Sequence, residues 1–167
     1  MESYNLEEYL RADAINYKPI SNSKFSRNKL KALLFSDPGS DQKYIWRYIY
    51  YLRHVEYAIT RQKNKKNVFN TLVKAYYLYK LRKASYVTGF QIPPFTCGKG
   101  LIIYHWGSII INGNVKIGQN CVLYPGVLIG WKGPKERGCA EIGNNVFIGS
   151  GTKIIGPVKI GNNVIIG

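Results

Sequence analysis

The chain has 167 residues, enough for one sizeable domain or two small ones with a true apolar core. Its 24 Lys and Arg against 9 Asp and Glu give a formal charge of +15, which suits an anionic partner: nucleic acid, a membrane surface or a phosphorylated cofactor. No stretch approaches the ~20 apolar residues of a membrane span, and the polar, acidic start Met1-Glu-Ser-Tyr-Asn-Leu-Glu-Glu is unlike a secretory signal.

Asn5–Ala14 reads as a first helix capped by Asn5, and Phe25–Phe35 as a second, stopped by Ser36-Asp37-Pro38-Gly39. Ile45, Tyr48, Ile49, Leu52, Val55 and Ile59 follow a three-or-four step, as do Phe69, Leu72, Val73 and Tyr76, so two further helices are predicted. Arg61-Gln-Lys-Asn-Lys-Lys66 is the expected polar connector between them. Residues 1–89 are thus expected to form an α-helical domain, which also holds most of the charge: 17 basic and 7 acidic side chains, against 7 and 2 in the remainder.

From Pro93 on the period becomes six. A branched aliphatic residue recurs at Ile111, Ile117, Leu123 and Ile129, and again at Ile142, Ile148, Ile154, Ile160 and Ile166. The fifth position of each step is small or branched (Val115, Cys121, Val127, Val146, Thr152, Val158, Val164), and counting backward puts Ile109, Ile103 and Cys97 in that same slot. Three six-residue flats close one triangular coil, so each aliphatic residue stacks on a copy about 18 residues later while Gly or Asn accepts the corner, often with φ > 0. Coils that cannot bury their faces alone stack into a solenoid. The fold class expected is α+β: a helical domain, then a left-handed parallel β-helix over 90–167. The 13 residues from Ile129 to Ile142 break the period, so 130–141 is predicted to project as a loop, a place where function often sits. The chain stops mid-step at Gly167 with no cap for the open coil end, and truncation at the C-terminus is expected.

The helices, then Gln91-Ile-Pro-Pro94, then Tyr104-His105-Trp-Gly-Ser-Ile-Ile-Ile-Asn112, then coils with a protruding loop, resemble the serine acetyltransferase branch of the hexapeptide-repeat acyltransferases. The resemblance covers most of the chain. It implies an acetyl-CoA-dependent O-acetyltransferase in which His105 is the general base, taking the acceptor hydroxyl's proton as that oxygen attacks the thioester. An imidazole suits the task because its ordinary pKa of about 6.5 leaves it neutral and basic near pH 7. His54, the other histidine, sits in a helical pattern and reads as structural.

By the same resemblance Asp13 would bind an acceptor's amino group, Tyr104 and Arg137 would line the acceptor site, and Gly130, Ser150, Gly151 and Lys153 would lie along the coenzyme groove. Lys132, Lys135, Arg137, Lys153 and Lys159 are candidates for the coenzyme phosphates. There are departures: Tyr104 stands where the family has a second acidic serine ligand, Arg137-Gly-Cys139 replaces a second active-site histidine, and the carboxylate that orients the catalytic histidine is replaced near Gln91, leaving a backbone carbonyl to hold the ring. Serine is therefore in question as acceptor, and a sugar hydroxyl in capsule or lipopolysaccharide synthesis is the alternative. No metal is expected, since Cys97, Cys121 and Cys139 form no ligand pair; reduced thiols point to the cytoplasm. A homotrimer, with a dimer of trimers as a further step, is implied by the family. A non-catalytic scaffold is the reading of another class. So is a membrane-surface module, in which the basic, tyrosine-rich Lys63–Lys83 segment lies on anionic lipid. Nucleic acid is not expected, because no recognition motif accompanies the charge.

Overall fold

Helix α1 (Leu6–Ala14) opens the computed structural model, which describes residues 4–17, 41–134 and 138–167. Asn5 caps it as expected, its side chain accepting from the Glu8 amide at 3.3 Å. A single 3₁₀ turn (Ile15–Tyr17) follows. The helix expected over Phe25–Phe35 lies outside the described residues. Helix α2 (Gln42–Asn64) and helix α3 (Val68–Thr88) come next, packed against each other. The predicted connector is shorter than expected: α2 absorbs Arg61–Asn64, and Asn67 caps α3 by accepting from the Asn70 amide at 2.7 Å. The stripe Ile45, Tyr48, Ile49, Leu52, Val55 is buried, as its spacing requires. Gly89, in the left-handed conformation at φ 78°, ends α3.

Among the described residues, eleven short strands then wind round three faces. One face is β1 (Phe90–Gln91), β3 (Ile109–Ile111), β6 (Leu128–Gly130) and β9 (Lys153–Ile155); the second is β4 (Lys116–Ile117), β7 (Glu141–Ile142) and β10 (Lys159–Ile160); the third is β2 (Ile102–Ile103), β5 (Val122–Leu123), β8 (Phe147–Ile148) and β11 (Ile165–Ile166). Every pairing is parallel. Ile142 pairs with Ile160 and Ile148 with Ile166, 18 residues on. The first-position residues from Ile111 to Ile154 are buried, stacked along the axis. At one corner Asn120, Asn145 and Asn163 adopt φ of 55–59° and their amides form a ladder at 3.2 and 2.9 Å, the small polar turn residue the repeat demands. Val158, by contrast, is 39% exposed despite its fifth-position slot.

Two irregularities interrupt the period. Ile117 pairs with Ile142, 25 residues away, so the segment between β6 and β7 carries seven residues beyond one coil. The second was not legible in the repeat. Ile103 pairs with Leu123 and Cys97 bridges to Ile117, so both occupy the first slot and not the small fifth one assigned by counting. The cause is a step of eight residues between Ile103 and Ile111, which widens the corner at Tyr104–Ser108.

The helices cap the first turn of the coil, whose backbone edge would otherwise be unpaired. The Tyr17 hydroxyl accepts from the Ile103 amide at 2.7 Å, and the Tyr48 hydroxyl accepts from the Ile92 amide at 3.0 Å. Glu56 accepts from the Phe95 amide at 2.7 Å. Buried Arg53 donates to the Cys97 and Gly98 carbonyls at 2.9 and 2.6 Å, to Asp13 at 2.7 Å and to Glu56 at 3.0 Å. Burial alone would lower the guanidinium's pKa, but Glu56 and Asp13 outweigh it and hold it raised. One apolar core runs from the α2 stripe through Phe90 and Ile92 into the coil.

Cys97 lies in that core, and burial pushes its thiol up to about 12. At pH 8 its thiolate fraction is about 10⁻⁴, so a thiolate-specific reagent should modify half-buried Cys139 in the native protein and reach Cys97 only on unfolding. Mass analysis of labelled peptides reads this directly; rapid native labelling of Cys97 would mean that the coil interior opens.

Candidate active site

The widened corner carries His105. Its backbone sits at φ 64°, a left-handed conformation uncommon for a residue other than glycine and a mark of local strain. Its neighbours hold it there. The Gly107 amide donates to the Thr88 carbonyl at the end of α3 (2.9 Å), and the Gly126 amide of the next coil donates to Ser108 (2.6 Å). Gly107, at φ 140°, passes so close to the next coil that an added Cβ would lie 3.1 Å from the Pro125 ring.

The ring itself is held from another part of the chain. Asp41 Oδ2 lies 3.2 Å from His105 Nδ1 and accepts from the Trp106 amide at 3.1 Å. Asp41 is the N-cap residue of α2, yet it makes no side-chain capping bond because its carboxylate faces the coil instead. It is buried, while the His105 side chain is 68% exposed. Tyr44, one turn into α2, stacks on Trp106 with ring centres 5.5 Å apart. This corrects the expectation that a backbone carbonyl holds the histidine: a carboxylate is present, supplied by the helical part. With Nδ1–H donated to Asp41, Nε2 is the basic nitrogen, and it has no partner among the described residues. A neutral imidazole so oriented can take a proton from a hydroxyl and return it to a leaving group.

The other expected site residues are distributed unevenly. Tyr104 is 40% exposed beside His105, its ring 5.3 Å from Tyr124, which in turn tilts against Phe147 at 5.2 Å. Ser150 and Gly151 lie on the same edge as His105, one coil beyond Tyr124–Gly126; the Ser150 hydroxyl and the Gly151 amide both donate to the Pro125 carbonyl at 2.9 Å, so neither is a free donor. Gly126 and Gly151 approach so closely that a Cβ on Gly126 would be 3.0 Å from Gly151. Gly130 is in β6, with its carbonyl accepting from the Gly156 amide at 3.0 Å. Lys153 is exposed at the start of β9 and has no carboxylate partner among the described residues, whereas Lys159 pairs with Glu141 at 3.7 Å. Arg137 and Lys135 lie outside the described residues. His54 is tied to the Tyr50 carbonyl at 2.8 Å within α2, and desolvation lowers its pKa, in keeping with a structural role.

Asp13 is a correction. Expected at an acceptor's amino group, it is fully buried, paired with Arg53 and accepting from the Leu101 amide at 2.9 Å. Its carboxylate joins the helices to the first coil and is shut off from any acceptor. Among the described residues no three His, Cys, Asp or Glu side chains converge to hold a metal ion, and no helix is long and apolar enough to cross a membrane.

Comparison with known proteins agrees with this architecture. Residues 139–167 match the family described as bacterial transferase hexapeptide (six repeats). Over 86 residues the chain is 33% identical to a serine acetyltransferase of Helicobacter pylori, covering 50% of each protein. Over 97 residues it is 36% identical to the putative colanic acid biosynthesis acetyltransferase WcaB of Escherichia coli, covering 56% of this chain and 59% of that protein. A solved serine acetyltransferase in complex with CoA superposes with a TM-score of 0.60 at 20% identity, over 99% of this chain and 63% of the other, which establishes a shared fold. The alignments span 50–59% of the length of these curated relatives. The chain thus carries bacterial transferase hexapeptide repeats over residues 139–167 and is similar to the serine acetyltransferases.

Proposed function

We propose that the chain is an acetyl-CoA-dependent O-acetyltransferase with His105 as general base and Asp41 as its positioning carboxylate. The observation that carries this reading is the exposed imidazole whose Nδ1 faces a buried carboxylate, on a corner held by Thr88, Ser108 and Pro125. The acceptor hydroxyl gives its proton to Nε2 while its oxygen attacks the thioester carbonyl carbon. The C–S bond of the resulting tetrahedral species then breaks, and the imidazolium returns the proton to the departing CoA sulfur. Asp41 stabilises the imidazolium in between.

Acetyl-CoA is the donor substrate. The side-chain-free edge at Gly126 and Gly151 would admit a narrow pantetheine arm, and exposed Lys153 would face its phosphates. The six-residue repeat, with three flats to a turn, supports a left-handed coil. In this reading 1–89 is a helical cap and 90–167 the acyltransferase coil with the loop 130–141. Copies assemble as a homotrimer, with a dimer of trimers as a further step. The free thiols support a cytoplasmic setting.

The first acceptor to consider is serine or a serine-like hydroxyl amino acid. A sugar hydroxyl is the second reading, favoured by the Tyr104–Tyr124 aromatic edge and by the engagement of Asp13 with Arg53, which leaves an ammonium without that carboxylate. A missing charge-assisted bond is worth about 1.5–3 kcal/mol, or one to two decades in affinity. Thiol release from acetyl-CoA, followed with L-serine and with nucleotide sugars, tests both. Serine is expected to show a KM well above the micromolar range, and Tyr104→Asp to lower it about tenfold. Efficient micromolar use of serine by the unaltered protein would remove the sugar reading. No release with any acceptor would remove the transferase reading itself.

A further inference from the structure

Helix α3 presents an unusual outer face. Its buried positions, Asn70, Leu81, Ala84 and Thr88, lie on one side. On the opposite side, at steps of three, four and seven, Phe69, Leu72, Tyr76, Tyr79 and Tyr86 are 54–82% exposed. Isolated surface hydrophobics are ordinary; a row along about 26 Å of one helix is not, and marks an interaction surface.

The charge on this face specifies the partner. α3 carries Lys74, Lys80, Arg82 and Lys83 and no acidic residue, and the whole sequence between Glu56 and Glu136 contains neither Asp nor Glu. None of these four cations has a carboxylate partner among the described residues. Lys80 Nζ leans over the Tyr76 ring at 5.4 Å and Lys83 Nζ over the Tyr79 ring at 4.9 Å. Tyrosine rings with ammonium groups at their rims match the boundary between lipid headgroups and acyl chains: the ring body enters the apolar layer, the hydroxyl stays wet, and the lysine stem extends to place its charge among phosphates. A second copy of this chain fits less well, because face-to-face packing would set Lys80 and Lys83 against like charges with no carboxylate to offset them.

We propose that α3 is a peripheral docking helix for an anionic lipid surface, lying along it with Phe69, Leu72, Tyr76, Tyr79 and Tyr86 inserted and Lys80, Arg82 and Lys83 on headgroup phosphates, Lys74 being on the inward stripe of Asn70 and Leu81. Because the Thr88 carbonyl at the end of α3 binds the Gly107 amide, two residues past His105, docking brings that corner towards the headgroup layer. This surface does not depend on the acyl-transfer reading, and its test measures lipid binding alone.

The test is co-sedimentation of the full chain with vesicles of phosphatidylglycerol and phosphatidylcholine, and with phosphatidylcholine alone. Binding is expected only with the anionic vesicles and should fade as salt is raised. Each cation contributes about fivefold, so Lys80→Gln, Arg82→Gln and Lys83→Gln together should weaken binding about 10²-fold. Phe69→Ser with Tyr76→Ser and Tyr79→Ser should abolish it, with circular dichroism confirming the helices; should that variant unfold, the charge variant, altered in no buried side chain, still decides. Equal recovery in the supernatant with and without phosphatidylglycerol overturns the proposal. So does a change of sedimentation-velocity mass in the aromatic variant with lipid binding unchanged, which would assign the face to a second copy. Retention of binding by the charge variant overturns it as well.

Discussion

His105→Ala is expected to reduce thiol release from acetyl-CoA at least about 10²-fold while leaving secondary structure and unfolding midpoint nearly unchanged. The magnitude is the usual contribution of a general base. The structural tolerance follows from position: the side chain is 68% exposed, fills no core space, and its removal leaves Asp41 still accepting from the Trp106 amide. Asp41→Asn separates the two parts of the arrangement. An amide oxygen can still accept from Nδ1–H, so the ring stays oriented, but the charge that supports the imidazolium is gone. The difference between a charged and a neutral hydrogen bond is about 1.4 kcal/mol, so a loss of about tenfold in kcat relative to the unaltered protein is expected, with KM for acetyl-CoA little changed. Wild-type turnover by His105→Ala would remove this residue from the mechanism.

Arg53→Ala should have the largest effect on stability, about 3–5 kcal/mol, read as a shift of the urea unfolding midpoint. The residue is fully buried and its guanidinium donates in five directions: twice to Asp13, once to Glu56, and once each to the Cys97 and Gly98 carbonyls. Its removal leaves two buried carboxylates without their cation, two carbonyls of the segment between β1 and β2 without a donor, and a cavity. Asp13 still accepts from the Leu101 amide, Glu56 still accepts from the Phe95 amide, and the Tyr4 hydroxyl still donates to Glu56 at 2.6 Å, which sets an upper bound on the damage. Arg53→Lys should recover only part of the loss, since one ammonium cannot reproduce a planar fork. A change below about 1 kcal/mol would show that water replaces the guanidinium and that the cap is looser than its geometry implies.

Repetition is what the sequence by itself determined. A period of six with an aliphatic first position leaves one way to bury every such residue, so three parallel faces follow from Ile111, Ile117 and Leu123 and their copies. The three-or-four step of Ile45 to Val55 likewise specifies a helix with one buried stripe. Both are local rules, with the partner a fixed number of residues away. Asp41 and His105 are 64 residues apart and meet only because α2 docks its N-terminus on one corner of the coil. No spacing announces that, and an aspartate before a helix reads first as an ordinary cap. Asp13 shows the converse: beside a helix it passes for an accessible acid, and only the approach of Arg53 from 40 residues away shows it to be buried. The corner itself left a trace in the sequence, the eight-residue step from Ile103 to Ile111, but Ile109 kept a plausible phase and concealed it. Strand register exposed the insertion, because hydrogen bonds between coils admit only one alignment of Ile103 with Leu123. Tertiary docking decided which polar groups met, because pairing energy between distant side chains depends on geometry that neither period encodes.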